Sequence, residues 1–568
     1  MNENEKYLLW KSQELTDPDL TAELNEIAEN DDEIKERFYK DLTFGTGGLR
    51  GIIGAGTNRM NVYTVGKATQ GLAVYIKKKF SRAKVAIAYD SRIKSKLFAQ
   101  EAARVLAANK IKVFMYEELM PTPALSFAVR HLKCHAGIVI TASHNPAEYN
   151  GYKVYGNDGC QITLDAANAV LAEINQVDIF DGVKRVDFAE AVEKKAIRFI
   201  NDLDILAYFR AINALALNKN LSNKENLRIV YTPLNGSGLH CVTSVLGENG
   251  FSNIHIVPSQ EKPDGNFPTC PYPNPEIKDA LQEGLKLCEK VDADILLATD
   301  PDCDRVGIAV KHENAYKLLS GNEVGILLFD YVCKMRTQNK TMPQNPICVK
   351  TIVTTEMVRP IAEKYGVKII DVLTGFKFIG EQIGFLEEKG EDNRYIFGFE
   401  ESYGYLTGTH ARDKDAVNAS LLICEMAAFY CNQNLTLVDV LDKLYCEFGH
   451  YNNVLKSFTF KGKSGFEKMQ AIMGQLRENP PTSINGKNVE AVYDYLKGVK
   501  LSNNYSQEKI NLPASDVLKF ELSDNISVVI RPSGTEPKLK VYISAVTNNK
   551  EKSDKLAQEF CEYFENLF

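Results

Sequence analysis

One pattern occurs three times along this chain: an apolar run, an amphipathic helix, a second apolar run, and later a third run that ends in polar residues. The first copy reads VAIAYD (85–90), then LFAQEAARVLAANK with Leu97, Phe98, Ala102, Val105 and Leu106 on one helical stripe, then IKVFMYE. Alternation of strand and helix periods at this spacing predicts a βαβ unit. The second copy runs from RIVYTP (228–233) through a helix around Leu239–Leu246, closes at Gly250, and resumes at NIHIV. The third runs from ICVKTIV (347–353) through MVRPIAEKYG, with Gly366 as the predicted C-terminal cap, to VKIIDVL. Later strands follow at AGIVITA, ADILLAT and RYIFGFE, and each ends in a polar cluster: TASHNP (141–146), DPDCDR (300–305) and EESYG (400–404). In α/β units ligands bind beyond the carboxyl ends of strands, so three repeats offer three site loops. After about residue 446 the pattern changes, and ELSDNISVVI and LKVYISAV around RPSGTEPK predict a smaller α+β domain.

A length of 568 residues agrees with several domains, at roughly 100–200 residues each. The net charge of −7 argues against a nucleic-acid-binding surface, and no apolar run approaches the roughly 18 residues that span a bilayer. The polar, acidic start Met1-Asn2-Glu3-Asn4-Glu5 lacks signal-peptide features, so a cytoplasmic protein is expected. Twelve cysteines without a C-x-x-C pair read as buried small hydrophobes, neither a disulfide framework nor a zinc site. His131 and His135 are spaced for a metal on one helix turn but have no third ligand nearby, which favours a surface or core role.

DPDCDR sets Asp300, Asp302 and Asp304 at alternate positions on a loop, a hard oxygen set suited to Mg²⁺. An EF-hand fails, because Arg305 replaces the required Gly and Lys311 the required Glu. The bland alternative is a solvated acidic turn, yet carboxylates this close repel unless a cation or hydrogen bonds compensate. TASHNP offers Ser143 as a nucleophile beside His144, although taken alone the segment favours a solvated turn before Pro. No G-x-S-x-G elbow supports an esterase. Gly45–Gly51 (GTGGLRG) could form an anion-binding nest with Arg50, but it and Gly462-Lys463-Ser464 both miss nucleotide-loop spacing. Arg531-Pro532-Ser533-Gly534-Thr535 is either a phosphate cradle or an ordinary polar turn.

Taken together, FGTGGLRG (44–51), TASHNPAEYNGYK (141–153), DPDCDR, GFEES (398–402) and RPSGTEP (531–537) resemble the α-D-phosphohexomutase superfamily of phosphoglucomutases and phosphomannomutases. The motifs stand in the family's order from residue 44 to residue 537, so the resemblance covers essentially the whole chain. It implies three related α/β domains with mixed sheets plus a C-terminal α+β, TATA-binding-protein-like domain around a central crevice. The expected boundaries are 1–205, 206–318, 319–446 and 447–568. By the same resemblance Ser143 is the phosphoserine, and Asp300, Asp302 and Asp304 hold Mg²⁺, which also touches Ser143. Glu400 and Ser402 contact sugar hydroxyls, and Thr374, Gly375 and Lys377 read sugar orientation. Arg531, Ser533, Gly534 and Thr535 bind phosphate. Arg50 and Arg305 stabilise charge near the metal, and Lys153, then Lys414, are the candidates for general acid/base, with His144 beside the nucleophile.

The reaction so implied is an intramolecular phosphoryl transfer between C1 and C6 of glucose phosphate through a phosphoserine enzyme, with glucose 1,6-bisphosphate as intermediate and activator. The expected partners are small phosphosugars, with no nucleic acid or membrane, and the chain is expected as a monomer or homodimer. An aromatic residue inside Gly398-Phe399-Glu400-Glu401-Ser402-Tyr403-Gly404 looks closer to the phosphopentomutase and glucose-1,6-bisphosphate synthase branch, so pentose and mannose phosphates remain alternatives. A phosphohydrolase of the haloacid dehalogenase type is disfavoured, since DPDCDR lacks the Thr or Val of D-x-D-x-[TV]. A catalytically silent phosphosugar-binding protein is disfavoured because every chemical position is filled.

Overall fold

The first repeat begins where the pattern predicts, and the reason is burial on both faces: parallel strands flanked by helices read as continuous apolar runs. A computed structural model describes residues 1–460, 462–503, 506–533 and 538–568. The chain divides into two compact units, the first made of residues 1–321, 379–398 and 402–436, the second of 322–378, 399–401 and 437–568.

In the first unit β1 (Leu49–Ile52), β2 (Lys84–Tyr89), β3 (Lys112–Met115), β4 (Ala136–Ile140), β5 (Tyr149–Gly156) and β6 (Ile197–Phe199) form a sheet in the order β1-β5-β4-β2-β3-β6. Strand β2 runs parallel to β3 and β4, whereas β5 runs antiparallel to β4 and β1. A second sheet repeats the scheme with β7 (Ile229–Thr232), β8 (Ile254–Ile256), β9 (Ile295–Thr299), β10 (Val306–His312) and β11 (Ala315–Leu319) in the order β11-β10-β9-β7-β8. Again the βαβ strands are parallel and β10 returns antiparallel to β9. The expected mixed sheets are present, and each site loop joins a parallel strand to its antiparallel return: TASHNP between β4 and β5, DPDCDR between β9 and β10.

Three details depart from the sequence reading. Helix Ser95–Ala108 buries Phe98, Ala102, Val105 and Leu106, but Leu97, one residue and about 100° round the helix from Phe98, is exposed. Ten cysteines are buried, while Cys431 and Cys446 are exposed. Three helices ahead of the repeat, Glu3–Lys11, Pro18–Glu26 and Asp31–Phe38, were not anticipated. They add Trp10, Leu20, Leu24 and Phe38 to the first core, with Trp10 edge-on to Phe38, Tyr63 and Phe180. The histidine pair has ordinary partners. His131 Nε2 lies 2.9 Å from Asp204, and His135 Nδ1 accepts from the Lys84 N–H while its ring rests on Phe80.

The third repeat supplies β12 (Ile347–Thr351), parallel to β13 (Lys368–Val372), joined by helix Val358–Tyr365. Gly366 ends that helix at φ +68°, the left-handed conformation that suits glycine. Strands β14 (Tyr395–Glu400) and β15 (Gly404–Leu406) follow. The chain then forms β16 (His450–Thr459), β17 (Ser483–Ile484), β18 (Lys487–Asp494), β19 (Val499–Ser502), β20 (Gln507–Lys509), β21 (Leu518–Leu522), β22 (Ile526–Pro532) and β23 (Lys538–Thr547). Seven of these lie in the order β16-β23-β22-β21-β18-β19-β20, with β17 paired to β18. Helices Gly462–Glu478 and Lys550–Leu567 cover one face through Met469, Met473, Phe560 and Phe564. The other face sets Tyr495, Val517, Val529 and Tyr542 against Ile352, Val353 and Leu373. The C-terminal segment is α+β, as expected.

Candidate active site

Ser143 takes φ +54°, and Cys303, within the aspartate loop, takes φ +51°. Non-glycine residues in this left-handed region are uncommon and collect where the surroundings fix a functional conformation. Ser143 is held there by its N–H, which donates to Thr141 Oγ1 at 2.8 Å. Its hydroxyl donates to Asp300 Oδ2 at 2.9 Å, which joins the first and second site loops. His144 Nδ1 lies 3.3 Å from the same hydroxyl. Burial, reinforced by Arg305 and Arg50, holds the His144 imidazole well below its usual range, so it is neutral and able to accept a hydrogen bond.

Ligand oxygens of Asp300, Asp302 and Asp304 lie within 4.8 Å of one another, and all three residues are buried. Asp300 Oδ1 accepts from the backbone N–H groups of Asp304 and Arg305. The Thr122 hydroxyl donates to Asp302 Oδ2 at 2.9 Å and the Thr122 N–H to the Asp302 carbonyl at 2.9 Å. Asp302 Oδ1 and Asp304 Oδ1 are buried and accept no hydrogen bond. Burial and the neighbouring carboxylates push Asp300 well above the usual range, and burial with Asp302 pushes Asp304 up as well.

Two lysines enter this cluster. Lys153, buried in β5, donates to Asp302 Oδ2 at 2.8 Å and lies 3.8 Å from Asp304 Oδ2. Lys414 Nζ lies 3.2 Å from Asp304 Oδ2 and 3.1 Å from Asp413 Oδ1, and the Tyr155 hydroxyl donates to the other Asp413 oxygen at 2.7 Å. Burial opposes the Lys153 charge, but Asp302 and Asp304 outweigh it and hold the ammonium protonated. The ammonium groups of Lys153 and Lys414 face the carboxyl groups of Asp302, Asp304 and Asp413 and, among the described residues, leave the Asp300 carboxyl without an ammonium group of its own. With two buried oxygens lacking a donor, the carboxylate set fits Mg²⁺.

Arg50 is exposed at the start of β1, and its guanidinium donates to Asn145 Oδ1 at 3.2 Å. The GTGGLRG segment is a tight turn closed by reciprocal Gly45 and Gly48 backbone bonds rather than an open nest. Arg305 donates to Glu276 at 2.8 Å and lies 3.8 Å from Asp304 Oδ1. Ser402 precedes Tyr403, whose carbonyl accepts from Val306 N–H at the start of β10. The first unit thus gathers Ser143, His144, the three aspartates, Lys153 and Lys414, with Arg50 and Arg305 alongside.

The remaining predicted residues belong to the second unit. Glu400 is buried at the end of β14, and Thr374 and Gly375, the latter at φ +115°, precede the helix that carries Lys377. Arg531 stands opposite Lys540 between β22 and β23, and the Ser533 N–H donates to the Lys538 carbonyl. Gly534 and Thr535 lie outside the described residues. Sequence reasoning missed Thr122, Asp413, Tyr155, Asp90 and Arg92. Asp90 and Arg92 carried a usable signal, since YDSR leaves the carboxyl end of β2 just as the other site loops leave theirs.

Sequence profiles of the four domains of phosphoglucomutase/phosphomannomutase, three α/β/α domains and a C-terminal domain, match residues 41–179, 207–314, 320–448 and 481–562. The chain belongs to this family. A phosphoglucomutase of Staphylococcus saprophyticus is 36% identical over 543 residues, covering 95% of this chain and 96% of the relative. One of Staphylococcus aureus (strain USA300) is 37% identical over 524 residues, covering 91% and 92%. Among solved structures, the open form of the Paramecium phosphoglucomutase parafusin shares the fold with a TM-score of 0.66 at 18% identity, over 93% of this chain and 96% of that one. A phosphoglucomutase/phosphomannomutase family protein of Burkholderia thailandensis does so with a TM-score of 0.65 at 17% identity, over 92% and 97%. Membership makes the chain an enzyme of the phosphosugar-mutase type. Among the described residues no helix is long and apolar enough to cross a membrane.

Proposed function

We propose that the enzyme interconverts glucose 1-phosphate and glucose 6-phosphate through a phosphoserine at Ser143. The reading rests on one observation above all: the Ser143 hydroxyl lies 2.9 Å from Asp300 Oδ2, inside a buried carboxylate cluster with two unsatisfied oxygens. A phosphoserine adds about −1.5 to −2 charge there, which a divalent cation between it and the aspartates makes tolerable. Mg²⁺ held by Asp300, Asp302 and Asp304 would supply charge neutralisation during transfer.

Phosphoryl transfer asks for positioning and electrostatic stabilisation above all. The bond from phosphorus to Ser143 Oγ breaks as a bond to a sugar hydroxyl oxygen forms, and the proton lost by that hydroxyl ends on Ser143 Oγ. The bisphosphate then returns its other phosphoryl group to Ser143. Lys153, held protonated by Asp302 and Asp304, can give a proton but not take one, while Lys414 is the second candidate for proton transfer. The neutral His144 stands beside Oγ, with Nδ1 at 3.3 Å, while the serine hydrogen goes to Asp300 Oδ2. Arg50 would stabilise the transferring charge. Glu400, Ser402, Thr374, Gly375 and Lys377 are assigned to the sugar and Arg531, Ser533, Gly534 and Thr535 to the phosphate that does not react. Sugar phosphates would be met in the cytoplasm.

Purified protein with Mg²⁺, glucose 1-phosphate and a trace of glucose 1,6-bisphosphate is expected to form glucose 6-phosphate, with kcat/KM above that for mannose or ribose phosphates. A higher value for ribose phosphate would move the assignment to a phosphopentomutase. No turnover of any of them would overturn it.

A further inference from the structure

The backbone of the Ser143 loop is held from beneath by a single buried side chain. Arg92 lies in the turn that follows β2 and is 3% exposed. Its Nη2 donates to the carbonyls of Ser143, at 2.6 Å, and of Asn145. Its Nη1 donates to the carbonyls of Pro146 at 2.8 Å and Tyr149 at 3.0 Å. The remaining donor, Nε, faces Asp90 Oδ2 at 3.4 Å, and Asp90 Oδ1 accepts from the Arg92 N–H and from the Ser95 hydroxyl. The guanidinium carbon lies 5.1 Å from the centre of the Phe267 ring, which closes its other side. A guanidinium has five N–H groups in a rigid plane, and here four converge on the carbonyls of one seven-residue loop while the fifth is turned to a carboxylate.

Such an arrangement exceeds what fold stability asks of a turn. The carbonyls of Ser143, Asn145, Pro146 and Tyr149 all meet the one buried guanidinium, where water or scattered N–H groups would satisfy them equally. One planar cation fixes all four carbonyls relative to each other, and so fixes where the Ser143 side chain leaves the loop. We propose that Arg92 is a positioning residue that locks the nucleophile loop in the conformation presenting Ser143 Oγ to the aspartate cluster, and thereby sets the rate of phosphoryl transfer rather than substrate affinity. This rests on the assignment of Ser143 as the phosphoryl carrier.

Lysine keeps the charge but has three donors at one point, so Arg92→Lys cannot span the four carbonyls. A displacement of the reacting atom on the order of 1 Å costs about 10²-fold in rate. R92K is therefore expected to lower kcat about 10²-fold with KM within about threefold, since an interaction felt only in the transition state leaves ground-state binding alone. Intact mass is expected to show that R92K accepts phosphate from glucose 1,6-bisphosphate more slowly than the unaltered enzyme, with the same end stoichiometry. Unchanged kcat in R92K, or a KM raised as much as kcat falls, overturns the proposal. If R92K does not fold, Asp90→Asn tests the same idea, because it removes the charge facing Nε and leaves the four carbonyl bonds available; a smaller kcat loss at constant KM supports the clamp, and unaltered kcat and phosphorylation rate refute it. Ser143→Ala run in parallel separates the two readings. Activity retained in S143A sinks the nucleophile assignment, whereas activity lost in S143A and kept in R92K sinks the clamp alone.

Discussion

The hydroxyl of Ser143 donates to Asp300 Oδ2 at 2.9 Å, although 157 positions separate the two residues in the chain. Each stands just beyond the carboxyl end of a parallel strand, β4 or β9, and each loop then turns back into an antiparallel strand. Because β5 is such a return strand, it also carries Lys153 to the aspartates. Two copies of one motif thereby bring a nucleophile and its carboxylate partners together.

The first prediction concerns that hydroxyl. Ser143→Ala is expected to lower kcat by more than about 10⁴-fold, the order of loss seen when a covalent nucleophile is removed. The unaltered protein should gain the mass of one phosphoryl group after incubation with glucose 1,6-bisphosphate, and the variant none. A variant that still gains it would place the acceptor elsewhere.

Thr122 shows how the aspartate loop is held. Its hydroxyl and its N–H both bond Asp302, at 2.9 Å each. Removing a hydrogen-bond partner behind a metal ligand weakens metal affinity about 10–100-fold. Thr122→Val keeps the shape and loses the hydroxyl, so the Mg²⁺ concentration giving half-maximal activity should rise by about that factor. Activity at saturating Mg²⁺ should stay close to that of the unaltered enzyme. An unchanged Mg²⁺ titration would show that the Thr122 bond does not support the metal site.

The aspartate cluster also predicts how stability follows pH. Burial, then Asp302 and Asp304, raise Asp300 well above 3.8, and Asp304 is raised too. A carboxyl raised on folding binds more protons in the native than in the unfolded state, so its contribution falls as pH rises from 3.8 through the folded value. Asp302 is shifted oppositely: burial opposes, but Lys153 holds it down, and its contribution is lost only as pH falls below 3.8. A divalent cation takes the place of the protons. The gain in melting temperature on adding Mg²⁺ to chelator-treated enzyme should therefore widen as pH rises, and at a hundredfold excess over Kd it corresponds to about 2.7 kcal/mol. A gain that is constant or narrows with rising pH would contradict the arrangement.

Much of this site was legible because its parts are punctuated in sequence: DPDCDR and TASHNP each announce a chemistry at the end of an apolar run. The strands themselves were legible for the same reason, since β4 and β9 are buried along their whole length and read as unbroken apolar runs. What stayed hidden depends on distance in the chain. Tyr155 finds Asp413 across 258 positions and Arg92 finds Tyr149 across 57, and no local pattern marks such pairs. The return strand β5 was missed as a strand, because YNGYKVYG follows a turn-rich polar stretch and holds Val154 as its one aliphatic residue. Its polarity serves the site, and the burial of Lys153 is paid for by two aspartates from another sheet.

The turn that leads into Arg50 gives the last prediction, because its adjacent glycines differ sharply in what they tolerate. Gly48 has φ +77°, and a Cβ there would lie 1.7 Å from the Tyr152 carbonyl oxygen in β5. Neither the conformation nor the space admits a side chain, so Gly48→Ala must push β1 off β5 where Leu49 pairs with Tyr152. Gly47 meets nothing within 4 Å. Gly48→Ala is expected to cost at least about 1–3 kcal/mol and to lower kcat by displacing Arg50, which follows two residues later, whereas Gly47→Ala should stay within about 0.5 kcal/mol with kcat nearly unchanged. Thermal melts and steady-state kinetics on the two variants check this. Equal effects at both positions would mean that the close approach of Gly48 to Tyr152 does not set the position of β1.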